Sequence, residues 1–106
     1  MINHSINPVE KNTPLILITH NPDSILSWPA EIKKPDLVLA GHTHGGQIYL
    51  PFIGPLGNAH INLGRQFYGG LNYYQNIPIF TSAGAGESGG PVRFWVLPEI
   101  VILNLK

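Results

Sequence analysis

The segment Leu37-Val38-Leu39-Ala40-Gly41-His42-Thr43-His44-Gly45-Gly46 constrains this chain more than any other. Four consecutive apolar residues bounded by glycines read as a short buried strand. The glycines let the chain turn without a Cβ penalty. Side chains at i and i+2 of an extended segment point the same way, so His42 and His44 can face one site. Neutral imidazole is the commonest metal ligand, and two of them at a strand end form a candidate metal site. The competing reading is a pair of surface histidines in a glycine-rich loop.

A second segment repeats the pattern. Leu15-Ile16-Leu17-Ile18-Thr19 is an apolar strand that ends on His20, followed by the turn signal Asn21-Pro22-Asp23. Asp23 is a candidate N-cap for a short helix through Trp28, limited by Pro29. Two parallel strands would then deliver His20 and His42/His44 to one carboxyl edge, where ligands bind in open α/β sheets. From Gly45 to Tyr74 the chain is rich in Gly, Pro, Asn and aromatics and reads as a long crevice wall. Gln47, Tyr68 and Tyr73 are its candidates for substrate contact, against ordinary loop packing. Ile77 to Ser82 reads as a third strand, with Pro78 near its start. Gly84-Ala85-Gly86 reads as a turn close to the same crevice. Val92–Val96 and Ile100–Leu103 read as an antiparallel hairpin that closes a second sheet.

Taken together, Ile16 to Asp23, then Asp36 to Ile48 with its Gly-His-Thr-His-Gly-Gly core, resemble the C-terminal half of a calcineurin-like metallophosphoesterase. The closest likeness is to a bacterial subgroup of membrane-associated or exported phosphodiesterases and lipid-precursor pyrophosphatases. Tyr68-Gly69-Gly70, Phe80 to Gly86, Pro91-Val92-Arg93 and Pro98-Glu99-Ile100 continue the pattern, so the likeness runs from about Leu15 to Leu105. It implies an α/β fold, the C-terminal part of a β-sandwich flanked by helices, with mostly strands and loops in this portion. Residues 1–106 would then be one partial domain.

The same resemblance implies motifs that this sequence lacks: Asp-x-His, Gly-Asp-x-x-Asp and Gly-Asn-His-(Asp/Glu). By the family pattern His20 and His42 bind one metal ion and His44 the other, with the bridging aspartate and the asparagine absent here. Mn, Fe, Zn and Mg are not distinguished. Three imidazoles without carboxylates suit a Zn²⁺-like ion better than Mg²⁺ or Mn²⁺, which favour oxygen donors. The implied chemistry is hydrolysis of phosphomonoester, phosphodiester or diphosphate bonds by a metal-activated water, weak or absent in the isolated chain. Gln47 and Arg93 are the candidates for substrate binding, and Arg65 is a further arginine to weigh against a surface role. The alternatives are a non-catalytic metal- or partner-binding fragment and one chain of a split two-chain enzyme. His4 and His60 match no motif.

Composition agrees with part of a larger domain. Of 106 residues, 43% are hydrophobic and only 11% charged, which leaves little solvent-facing surface for a complete sandwich. Lysine plus arginine equals aspartate plus glutamate, so there is no basic stripe for nucleic acid. A phosphate ester, as a small molecule or lipid-linked, is the expected substrate partner, and self-association or pairing with an N-terminal half is expected of the chain. Cysteine is absent, which excludes disulfides and thiolate metal sites. The N-terminal residues have neither the charge nor the apolar core of a signal peptide. No apolar run approaches the ~20 residues of a membrane span, so the expected location as written is the cytoplasm.

Overall fold

Continuous apolar runs whose burial alternates with period two build the sheet, and the computed structural model describes residues 11–56, 60–87 and 89–106. Strands β1 (Ile16–Ile18) and β2 (Leu37–Ala40) pair in parallel, with Ile16 opposite Leu37 and Ile18 opposite Leu39. Strand β6 (Ile77–Thr81) continues the sheet in parallel with β2, and β5 (Gly70–Tyr74) closes it antiparallel to β6, giving the order β1-β2-β6-β5. A small ribbon pairs β3 (Tyr49–Leu50) with β4 (Gly54–Pro55). The molecule is thus a mixed α/β unit of strands and loops whose helices are short 3₁₀ turns.

The connection from β1 to β2 carries the 3₁₀ helix Pro22–Ser27. Its cap is Asn21, whose Oδ1 accepts from the Asp23 N–H at 2.9 Å, so the expected cap moves two residues upstream. The reason is Pro22. A proline at the first helical position needs no hydrogen-bond partner and favours the residue before it in extended backbone, as Asn21 is. Asp23 instead accepts from the Asn62 N–H at 2.7 Å and the Leu63 N–H at 3.0 Å, pinning the long loop to this turn.

Strand β5 lies inside the stretch expected to be loop. It joins β6 through the two residues Gln75 and Asn76, both with positive φ (48° and 64°). Two left-handed residues make the tight turn that matches strand twist. Ile25, Val38, Phe67, Ile77 and Ile79 form the core under one face of the sheet, with Leu17, Trp28, Ile61, Leu63 and Tyr74 packed against them. At β1 and β5 the other face is bare: Ile18 is 78% exposed, Leu71 54% and Tyr73 65%.

The expected hairpin at the C-terminus is not formed. Neither Val92–Val96 nor Ile100–Leu103 is a strand, and Phe94 makes only an isolated bridge to Ile48. Trp95 has φ 56°, which breaks the extended run, and Ile100 and Ile102 are 90% and 92% exposed. Among the described residues neither segment has a partner strand beyond that bridge. His4 and the N-terminal lead through Glu10 lie outside the described residues, as do residues 57–59 and Ser88.

Candidate metal centre

The parallel pairing brings the ends of β1 and β2 level. The Thr19 N–H donates to Leu39 O at 2.9 Å and the Gly41 N–H donates to His20 O at 3.1 Å, so the ladder extends past both strands. His20 and His42 therefore meet. Their ring centroids lie 4.9 Å apart, edge to face at 62°. His20 is exposed and His42 half-buried, which leaves the pair open to an incoming ion.

Beyond β2 the backbone leaves ordinary conformations. His42, His44 and Gln47 all have positive φ (70°, 49° and 54°), a conformation that costs about 1–3 kcal/mol per non-glycine residue and clusters at functional sites. Two contacts hold it there. The Thr43 hydroxyl, 1% exposed, donates to Tyr68 O at 2.6 Å, and the same oxygen accepts from the Gly45 N–H at 3.3 Å. The glycines that follow are required by space as well as by φ. A Cβ on Gly45 would lie 2.6 Å from Val96 Cγ1, and one on Gly46 would overlap Pro55 and stand 3.0 Å from Tyr68 Cδ2.

His44 does not join the other two rings. Its Nδ1 lies 3.2 Å from Gly86 O. Because a carbonyl only accepts, a hydrogen bond there takes its proton from Nδ1, and in the neutral ring that leaves the lone pair on Nε2. Among the described residues no three His, Cys, Asp or Glu side chains come together. The donors present nonetheless suit an ion: a neighbouring imidazole pair and a third imidazole one turn on are borderline ligands of the kind that transition ions accept. They supply part of a coordination sphere, and no carboxylate completes it.

Gln47 donates from Nε2 to Gly90 O at 3.2 Å, across the turn. Arg93 donates to the carbonyl oxygens of Ala83 (2.8 Å), Gly84 (3.2 Å), Gly86 and Leu97 (3.4 Å), so its guanidinium serves main chain rather than open solvent. Beside the glycine turn lies a cleft of about 920 Å³ lined by Gly45, Arg65, Tyr68, Ala83, Trp95 and Glu99 among others. The three histidines are not in its lining. Tyr68 is buried, Tyr73 stands on the bare face of β5, and His60 is exposed away from these groups. Thr43 was not singled out by the sequence, whereas Gly86 lies in the Gly84-Ala85-Gly86 turn expected close to the crevice. The only signal for Thr43 was its place between two candidate ligands, and Gly86 acts through a carbonyl that any residue would carry.

Histidines presented at the carboxyl edge of a parallel sheet form a candidate metal site, and comparison with known proteins gives the chain a family. The chain is 36% identical over 94 residues to the metallophosphoesterase YkuE of Bacillus subtilis, a match covering 86% of this chain and 30% of that protein. It is 41% identical over 92 residues to the metallophosphoesterase Cj0846 of Campylobacter jejuni, covering 86% of this chain and 22% of that one. It is 35% identical over 100 residues to the phosphodiesterase YaeI of Escherichia coli, covering 91% and 34%. No family model and no solved structure matches. The chain belongs to the metal-dependent phosphoesterases. More particularly, it corresponds to the C-terminal portion of a calcineurin-like metallophosphoesterase, and it spans about a third or less of the length of these relatives. A zebrafish relative is named a transmembrane protein with a metallophosphoesterase domain; among the described residues here no helix is long and apolar enough to cross a membrane.

Proposed function

We propose that this chain supplies the histidine-bearing part of a phosphoesterase site that binds divalent metal ions, within one layer of a calcineurin-like sandwich. The observation that carries this reading is the His20–His42 pair, 4.9 Å apart at the carboxyl ends of adjacent parallel strands. His20 and His42 would hold one ion and His44 the other. Bound ions lower the pKa of water, orient it for in-line attack and neutralise charge on the phosphoryl group. The chain's own contribution is to fix imidazole direction through the strand ladder, Thr43 and the two glycines. Gln47, tied to Gly90, would face a substrate oxygen at the rim. Arg65, whose guanidinium makes no hydrogen bond to the described residues, would draw phosphate charge toward the cleft. The substrate is a phosphomonoester, phosphodiester or diphosphate.

Among the described residues no carboxylate joins the histidines, so carboxylate ligands would be supplied from elsewhere and the chain alone would be a poor catalyst. The test is a chimaera in which this chain replaces the matched segment of the E. coli phosphodiesterase, assayed on a chromogenic phosphodiester. Hydrolysis is expected, with at least a hundredfold loss in His42→Ala, the scale on which metal-site catalysis depends on its ligands. A folded chimaera that binds Zn²⁺ yet hydrolyses nothing would favour the non-catalytic reading. One whose Zn²⁺ binding survives His42→Ala would end the proposal.

A further inference from the structure

Arg93 is half-buried and donates five hydrogen bonds to four carbonyl oxygens that come from both ends of the 83–97 loop. A planar guanidinium has five N–H groups in a fixed fork, which lets one side chain gather several acceptors at set angles. The loop's other ties among the described residues, to Glu99, Gln47 and Tyr49, do not reach Gly86. Glu99 Oε1 accepts from the Ala83 N–H at 2.7 Å, and the Glu99 N–H donates to Gly84 O at 2.9 Å. Gly86 receives special treatment. Its oxygen accepts from both Nε (3.1 Å) and Nη2 of Arg93, and it is the same oxygen that lies 3.2 Å from His44 Nδ1. Ala85 and Gly86 are exposed, so nothing in the core fixes that carbonyl.

We propose that Arg93 is a positioning residue for His44. By anchoring Gly86 O it holds an obligate acceptor against Nδ1, and this selects the tautomer that leaves the Nε2 lone pair available to an ion. The inference rests on the reading of His44 as a metal ligand. It also accounts for an arginine whose charge is spent on main-chain oxygens beside a site built for anionic substrates. A ligand histidine whose other nitrogen donates to a carbonyl is fixed in both ring orientation and proton placement.

The test begins with the metal-free full chain, its five histidines labelled with nitrogen-15, at about pH 8, above the ordinary imidazole range. Long-range proton–nitrogen correlations report each ring's tautomer. The parent is expected to show His44 with Nδ1 protonated. Arg93→Ala is expected to shift His44 toward the Nε2-protonated form, while the rings of His20 and His42 stay as they were. Arg93→Lys is expected to behave like Arg93→Ala, because a compact ammonium cannot span four carbonyls. Glu99→Ala loosens the same loop without touching Gly86, and is expected to keep the parent tautomer. An unchanged His44 in both Arg93 variants would overturn the proposal, as would loss of the sheet's core methyl signals in both, which makes Arg93 a folding residue.

Zn²⁺ titration separates this inference from the one beneath it. Arg93→Ala is expected to weaken Zn²⁺ binding about 10–100-fold, and to do little in a His44→Ala background, since residues acting through one group are not additive. Equal losses in both backgrounds would overturn the positioning role alone. No effect of His44→Ala itself would sink the ligand reading and this proposal with it.

Discussion

Thr43 shows how a residue between two candidate ligands can matter more to the site than to the chemistry. Its hydroxyl, buried at 1% exposure, is the donor for Tyr68 O and the acceptor for the Gly45 N–H. Thr43→Val keeps the shape and removes both bonds. Leaving a buried carbonyl without its donor costs about 1–3 kcal/mol, so the urea midpoint of unfolding is expected to fall accordingly. Because three residues around it sit in the left-handed region, Zn²⁺ affinity is expected to drop as well. A variant with parent stability would show that Tyr68 O finds another partner and that Thr43 is dispensable. The meeting of His20 and His42 was legible because two apolar strand patterns each run into a histidine. The direction of His44 was not, since positive φ at both His42 and His44 overrides the extended geometry on which that inference stood.

At the scale of elements, the start of the β1–β2 pair is held by charge. Asp36 Oδ2 accepts from Lys33 Nζ at 2.8 Å and from the Leu15 N–H at 2.8 Å, and Lys33 also reaches Thr13 O at 2.7 Å. The Lys33 hydrogen bond first, and the Leu15 N–H second, hold the Asp36 carboxyl below its ordinary value. A depressed folded-state pKa means that the carboxylate's contribution is present above the unfolded value, about 3.9, and is lost as pH falls through the folded one. The gap in unfolding midpoint between the parent and Asp36→Asn is therefore expected to be open near pH 6 and to close as pH falls through the lowered folded-state value. A gap that stays constant across that range would show that the ion pair contributes nothing through its charge. The group is fully exposed, so the effect is small.

Elements also mark the limits of sequence reading. β1, β2 and β6 carry continuous apolar runs, and each was read within a residue or two. β5 was not, because Gly70-Leu71-Asn72-Tyr73-Tyr74 alternates weakly and its turn is Gln-Asn rather than Asn-Gly. The C-terminal alternation read as a hairpin for the opposite reason: the pattern is genuine, but among the described residues neither run finds a partner strand beyond the Ile48–Phe94 bridge.

At the scale of the whole molecule, one face of the sheet is bare at its edges. Direct pairing across the sheet puts Ile16, Leu37, Ile18, Leu39, Phe80, Leu71 and Tyr73 on one face, the face opposite the core cluster, and at both edges of the sheet it is exposed. The C-terminal residues Ile100 and Ile102 are exposed as well. A contiguous apolar surface of this kind is uncommon on a stable monomer and marks an interaction surface, and β1 leaves one strand edge unpaired. With a core on one side only, burial has to be completed by another surface. Self-association of the purified chain is expected, seen as a sedimentation mass that rises with concentration. Replacing Ile18 and Tyr73 together by lysine removes two of the most exposed apolar groups without entering the core, and is expected to lower the association constant at least tenfold while the unfolding midpoint at high dilution stays put. In the chimaera with the E. coli segment the same pair of substitutions is expected to reduce both stability and hydrolysis if, as proposed above, this sheet is one layer of a larger sandwich. If the parent is monodisperse and monomeric, and the lysine pair is silent in the chimaera, the face is a solvent-facing surface and the sheet is not one layer of a larger sandwich.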